Sequence, residues 1–487
     1  MPFPFVLPTT SSFSFSANFD SDSHPSISIN ASMYRGVAKD TLRKHKRLDH
    51  SAQVGNLSTV RTALNDYLPY LVAVDAGLHD LRIPGSCDLI HIDPKDQVAI
   101  KWRPTLSGDV VPGRERSRVK INSLEHELIF MFSALGLTYV QEARAVLKPL
   151  YSTSNEFVAS QERTTAISTA TKLLLQSASI FQYLGNRTEQ GSVKPPCADV
   201  APTTVRALAS LSHAEATLLA VLKDDPYPAA VAQDRNKTDK EWMFKSPEIP
   251  KVRAHLYARL CLAASEHAAR ALSLAQASAS SVGIKVDSSL IKYMEDFRRT
   301  SRAKACRFLG IDSELGGQTA DGIGWLQAGL QELGVDIKDS RRGLGLGRLK
   351  KDLSELMEDR RVDKERAWGA DAGKLEEIRV IEMLNAKWNK INDTMNTKQV
   401  PSVNSLLAKI PSGREIHSIP DYQPPTLDEN ALNMMRAPPT DKGELAHDFS
   451  SDDEAIGSPQ PPGVGGYAGT SADYGRSPTA QGSHTYY

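Results

Sequence analysis

Cysteine is scarce: Cys87, Cys197, Cys261 and Cys306 stand far apart, with no CxxC pair among them. That spacing argues against a thiolate zinc site and against a disulfide framework. It favours reduced, buried thiols, with Cys261 inside a helix. Net charge is also missing, because 58 Lys and Arg balance 58 Asp and Glu, so nothing pulls the whole chain toward nucleic acid or anionic lipid. No segment approaches about eighteen uninterrupted apolar residues, and no membrane span is expected. The apolar start, Met1-Pro2-Phe3-Pro4-Phe5-Val6-Leu7-Pro8, lacks a basic flank and is broken by proline, so it fails as a signal peptide. The end, Thr485-Tyr486-Tyr487, offers no prenylation cysteine. A soluble chain is expected, with membrane contact borrowed from partners. The 12 histidines are scattered, and no HExxH, Ser/His/Asp or paired-carboxylate spacing stands out. The expectation is no enzyme, no cofactor and no metal site.

What is present is mostly helical. Of the 487 residues, 40 % are hydrophobic but only 7 % aromatic, which suits an aliphatic core. The most telling stretch runs from Ser246 to Ser281. Ser246-Pro247-Glu248 reads as a helix start, since the hydroxyl caps free amides and proline is tolerated in the first turn. Val252, Leu256, Leu260 and Ala263 then recur at helical steps, continued by Ala264, Ala268, Ala269 and Leu272. Alanines let a neighbouring helix approach closely. Leu256 and Leu260 are one turn apart, and periodicity allows either core or a lip exposed to a partner.

Other helices are read in order. Val60, Leu64, Tyr67, Leu68, Leu71, Val74 and Leu78 share a face from Asn56 to Leu81, with Pro69 expected to kink or interrupt it. Asn122-Ser123-Leu124-Glu125 caps a strongly apolar helix that Pro149 stops. A second spans about 155–184 with Gly185 at its C-cap, and a third runs from Pro202 to Lys223. The basic run Arg43-Lys44-His45-Lys46-Arg47 reads as a solvated helix face. Leu89-Ile90-His91-Ile92 and Val98-Ala99-Ile100-Lys101-Trp102 flank Asp93-Pro94-Lys95-Asp96, which predicts a β-hairpin lying against helices. Helical sections at 286–334 and 349–396 follow. Between them, Arg341-Arg342-Gly343-Leu344-Gly345-Leu346-Gly347-Arg348 lacks the flanking strand of a phosphate loop and reads as a basic loop. Long helices with short loops imply antiparallel, tetratricopeptide-like layers. From about 425, Pro, Gly and Ser dominate around the acidic run Ser450-Ser451-Asp452-Asp453-Glu454, and the expectation is disorder, with both serines open to phosphorylation.

A helical body with one hairpin and a loose tail resembles the Bro domain of ALIX-like endosomal-sorting adaptors. Val98–Trp102, then Ser123-Leu124-Glu125-His126-Glu127-Leu128-Ile129-Phe130-Met131-Phe132-Ser133-Ala134-Leu135, look like its strand and following helix. Ser212-His213-Ala214-Glu215-Ala216 is similar to its Ala-Gln-Ala-Gln-Glu box, and Asn392-Asp393 with Val400-Pro401 and Leu406 to its closing signature. The resemblance implies a boomerang-shaped Bro domain over 1–415 and a disordered Pro/Ser/Gly-rich tail over 416–487. The N-terminal Phe/Pro/Ser stretch is similar to a fungal branch that serves ambient-pH signalling. The resemblance also implies an apolar patch that takes the C-terminal helix of the polymer-forming ESCRT-III subunit. Carried over position by position, the patch falls on Leu218, Val221, Leu256 and Leu260, where Leu218 replaces a phenylalanine and Val221 a lysine. A one-turn leucine pair suits a helix-in-groove site. The implied role is a cytoplasmic adaptor, recruited through partners to cortical or endosomal sites, with a pH-sensor and arrestin-like complex as a further partner. The rival reading is a tetratricopeptide-like scaffold that holds peptide tails in a polar groove.

Overall fold

In the computed structural model, residues 2–82, 90–108, 115–151, 160–188, 194–228, 249–282, 284–335 and 368–437 are described. An N-terminal arm carries strand β1 (Thr9–Thr10), the short helix α1 (Phe15–Asn18) and strand β2 (Phe19–Asp20). Helices α2 (Ser26–Arg47) and α3 (His50–Leu78) pack together, and α3 runs unbroken through Pro69. Then come β3 (Asp93–Pro94), β4 (Ile100–Arg103) and β5 (Val119–Ile121). The body continues through α4 (Leu124–Leu147), α5 (Ser160–Thr188), α6 (Pro202–Leu222), α7 (Lys251–Val282), α8 (Ser288–Leu315), α9 (Thr319–Glu332) and α10 (Lys374–Ile391). Two short helices, α11 (Val403–Leu407) and α12 (Glu429–Met435), close it.

Each long helix packs on the next. Neighbours α6 and α7 run antiparallel, since Thr204 meets Ser278 at one end and Tyr257 meets Asp224 at the other. The spacing that announced the helices also explains their contacts. Ser123 caps α4 by accepting from the Glu125 amide, and Pro202 opens α6 at its first turn. Between α8 and α9, Gly310 and Gly322 bring backbones together: a Cβ on either would lie 3.1 or 3.0 Å from the other's carbonyl oxygen. Gly185 does not end its helix, because α5 continues to Thr188 while the Arg206 side chain lies against that glycine.

The β-structure departs from the expected hairpin. β4 pairs antiparallel with β1 (Thr10 opposite Trp102) and with β5 (Trp102 opposite Val119). Asp93–Pro94, expected as the turn, pairs with Phe19–Asp20 instead. Ile90 and Ile92 are buried, with Ile92 seated on Gly77 of α3. Burial of those isoleucines outweighs local strand pairing. Leu89 and Cys87 lie outside the described residues.

The body also closes later than expected. Residues 416–437 belong to the expected tail, yet their side chains pack: the Tyr422 ring lies 5.9 Å from Phe132 and 5.6 Å from Tyr183. In α12, Leu432 and Met435 are buried, and the Ala437 amide donates to the Ser23 carbonyl. Apolar residues spaced through the proline-rich stretch find grooves between helices already in place. Residues 438–487, with Ser450 and Ser451, lie outside the described residues, as do the basic glycine loop and 349–367.

Candidate interaction surface

The four residues proposed from the sequence fall on two adjacent helices, Leu218 and Val221 on α6, Leu256 and Leu260 on α7. Helix α6 is apolar on most sides because it is a core helix between α5 and α7; 78 % of its apolar window is buried, so its length and hydropathy do not mark a membrane span. Leu218, Val221 and Leu260 are 2 %, 0 % and 2 % exposed. Their expected outward orientation is therefore corrected: they pack the seam between the helices. Leu256 is half-buried at its margin. One turn before it, Val252 is 84 % exposed, although the apolar spacing puts it on the same face as the core.

An extended segment, 410–427, explains why most of the outer α7 stripe is not free. The Arg414 amide donates to the Arg259 carbonyl at 3.0 Å, and Arg259 Nε returns a hydrogen bond to the Ser412 carbonyl at 3.1 Å. Gly413 lies directly on the helix backbone, where a Cβ would come within 2.8 Å of the Ala263 nitrogen, so only glycine fits. Beyond it, Glu415 reaches His267 of α7 at 2.9 Å, and His213 of α6 meets the His417 carbonyl at 3.0 Å. This strap covers the middle of the stripe and leaves Val252 and Leu256 at its N-terminal end.

Buried charge fixes the frame under this surface. Arg307 of α8 is clamped between Asp225 (2.5 Å) and Glu377 (2.7 Å), and Lys304 also bonds Glu377 at 2.6 Å. Burial disfavours each charge, but the opposing cations hold the Asp225 carboxyl below its ordinary range. Near β1, Glu127 accepts from Arg35 at 2.8 Å and from the Trp102 indole at 2.6 Å, and Arg35 also donates to Thr10 and Ser11, which ties the N-terminal arm to α4. Burial pushes the thiols of Cys197 and Cys306 up to about 12, and that of Cys261 up as well, which leaves them unreactive. The sequence reading missed His213, His267, Glu415 and His417 as a group. The only local signal was Glu415-Ile416-His417, two polar residues on one side of an extended chain.

The chain matches the BRO1-like domain family over residues 40–431. It is 38 % identical over 499 aligned residues to the pH-response regulator protein palC of Emericella nidulans, covering 95 % of this chain and 98 % of that protein. Among solved structures, its fold is similar to ALIX in complex with the SIVmac239 PYKEVTEDL late domain. There the TM-score is 0.51 at 13 % identity, over 88 % of this chain and 51 % of ALIX, so the chain spans about half of that protein's length. The ALIX BRO1 domain in complex with CHMP4C aligns with a TM-score of 0.46 and 14 % identity, over 88 % of this chain and 96 % of that one.

Proposed function

The chain belongs to the BRO1-like domain family, and from that premise we propose that it is a non-catalytic adaptor of ambient-pH signalling. It binds the C-terminal helix of an ESCRT-III subunit and links a plasma-membrane pH-sensing complex to ESCRT-dependent proteolytic activation of a transcription factor. Partners carry it to cortical or endosomal membranes. The observation that carries this reading is the end-to-end likeness to a pH-response regulator, which leaves almost none of either chain unmatched.

The partner helix docks at the N-terminal end of α7, with Val252 and Leu256 as anchors. Leu218, Val221 and Leu260 hold the helix pair rigid from inside. Two aliphatic anchors contribute about 1.5–3 kcal/mol each when fully buried, enough for a regulated contact of modest affinity. Val252→Asp and Leu256→Asp are expected to abolish retention on immobilised ESCRT-III tail peptides while leaving the circular-dichroism melt unchanged. Undiminished retention by both variants would place the partner elsewhere on the surface.

A further inference from the structure

We infer that His213, His267 and Glu415 form a binding site for a single zinc ion that staples the 410–427 strap to helices α6 and α7. The three side chains come from three separate parts of the chain, and their ligating atoms all lie within 4.8 Å of one another. Glu415 Oε1 is 2.9 Å from His267 Nε2, and Glu415 Oε2 is 3.9 Å from His213 Nε2. These separations bracket the about 3.3 Å that ligand atoms keep around a tetrahedral ion with bonds of about 2.0–2.1 Å. The two imidazole rings sit 4.2 Å apart between centroids, tilted by 33°, and both present Nε2 to the same carboxylate. Two imidazoles and one carboxylate are a borderline, nitrogen-rich donor set, which suits zinc over calcium or magnesium.

The strap also brings the backbone of a third histidine against the cluster. His417 stands two residues beyond Glu415 in the extended strap. Its carbonyl lies 3.0 Å from His213 Nε2, and its own Nε2 is buried with no hydrogen-bond partner among the described residues. His213 Nε2 is the ring atom that faces both the Glu415 carboxylate and the His417 carbonyl. A neutral ring is the metal-binding form. In the hydrogen-bonded form, Nε2 carries the proton donated to the His417 carbonyl. On metal binding that proton is held on Nδ1, and the freed Nε2 lone pair goes to the ion. Zinc also neutralises the carboxylate of Glu415, whose side chain is 58 % exposed and lies at hydrogen-bonding distance from His267.

Among the described residues the strap meets α7 through the two Arg259 hydrogen bonds and Gly413, and the ion adds a tie at Glu415. Full-length protein stripped with chelator and titrated with zinc chloride in a calorimeter is expected to take up one equivalent. Cobalt chloride is expected to give the visible bands of a tetrahedral nitrogen and oxygen site. His213→Gln, His267→Gln and Glu415→Gln should each weaken zinc binding at least tenfold. Zinc should slow amide exchange of residues 412–417 in the parent protein and not in the variants. His267→Gln removes a partly exposed ring, so its melt in chelator should match that of the parent and separate lost binding from lost fold. Absence of saturable uptake would overturn the site. So would uptake that survives all three substitutions, or uptake that vanishes instead in His91→Gln, which alters an exposed histidine beside Asp80 and Asp93.

Discussion

At the residue scale, the most unusual group is Glu215. It is buried on α6, accepting from the Tyr293 hydroxyl at 2.6 Å and the Phe3 amide at 3.2 Å, and among the described residues no cation forms a direct ion pair with it. Burial pushes its carboxyl up to about 7. Between the unfolded value near 4.5 and that folded value, the native state holds more proton than the unfolded chain. Stability therefore falls as pH rises through this window, at a slope of up to about 1.4 kcal/mol per pH unit, and levels off above it. Glu215→Gln keeps an acceptor for both donors and cannot ionise. Its melting temperature should decline less than the parent's between pH 5 and pH 8, and an identical decline would assign the slope to another group. Glu377 presents the opposite case. Glu377→Ala would leave Arg307 and Lys304 sharing Asp225 in a dry interior, and a loss of about 3–5 kcal/mol in denaturant unfolding is expected. In the sequence Glu215 was legible only as a member of the box-like run Ser212-His213-Ala214-Glu215-Ala216. Its partners, 212 and 78 residues away, were not.

At the scale of elements, α7 shows how far periodicity reaches. The steps from Val252 to Leu260 predict a helix with an apolar stripe, and the helix is there. They do not say which part of the stripe faces inward. That depends on α6 and α8 on one side and on the strap at Gly413 on the other. Leu260→Asp should consequently behave unlike its neighbours one and two turns earlier. It forces a carboxylate into the helix seam, and its melt should fall by several degrees, with peptide retention lost only as the fold is lost. A melt equal to the parent's would return Leu260 to the surface. Strand pairing follows the same rule. The pattern of Val98–Trp102 announced a strand, but its partners came from residues 9–10 and 119–121, because register is set by which side chains the helices bury.

At the scale of the whole molecule, Met1–Ala437 is one compact unit. Just past α12, the Ala437 amide is bonded back to Ser23, ahead of α2. A chain ending at 437 should fold with a cooperative melt, whereas one ending at 415 would uncover Phe132 and Tyr183 and melt several degrees lower. Equal melts would restore the earlier boundary. By itself the sequence determined most of the helices, the Ser123 and Pro202 helix starts, the aliphatic core and the family likeness, because these depend on spacing within a few turns of chain. Only the tertiary structure decided which leucines are interior, where β4 finds its partners, and that His213, His267 and Glu415 meet. Those outcomes depend on contacts between residues tens to hundreds of positions apart, and local periodicity carries no record of them.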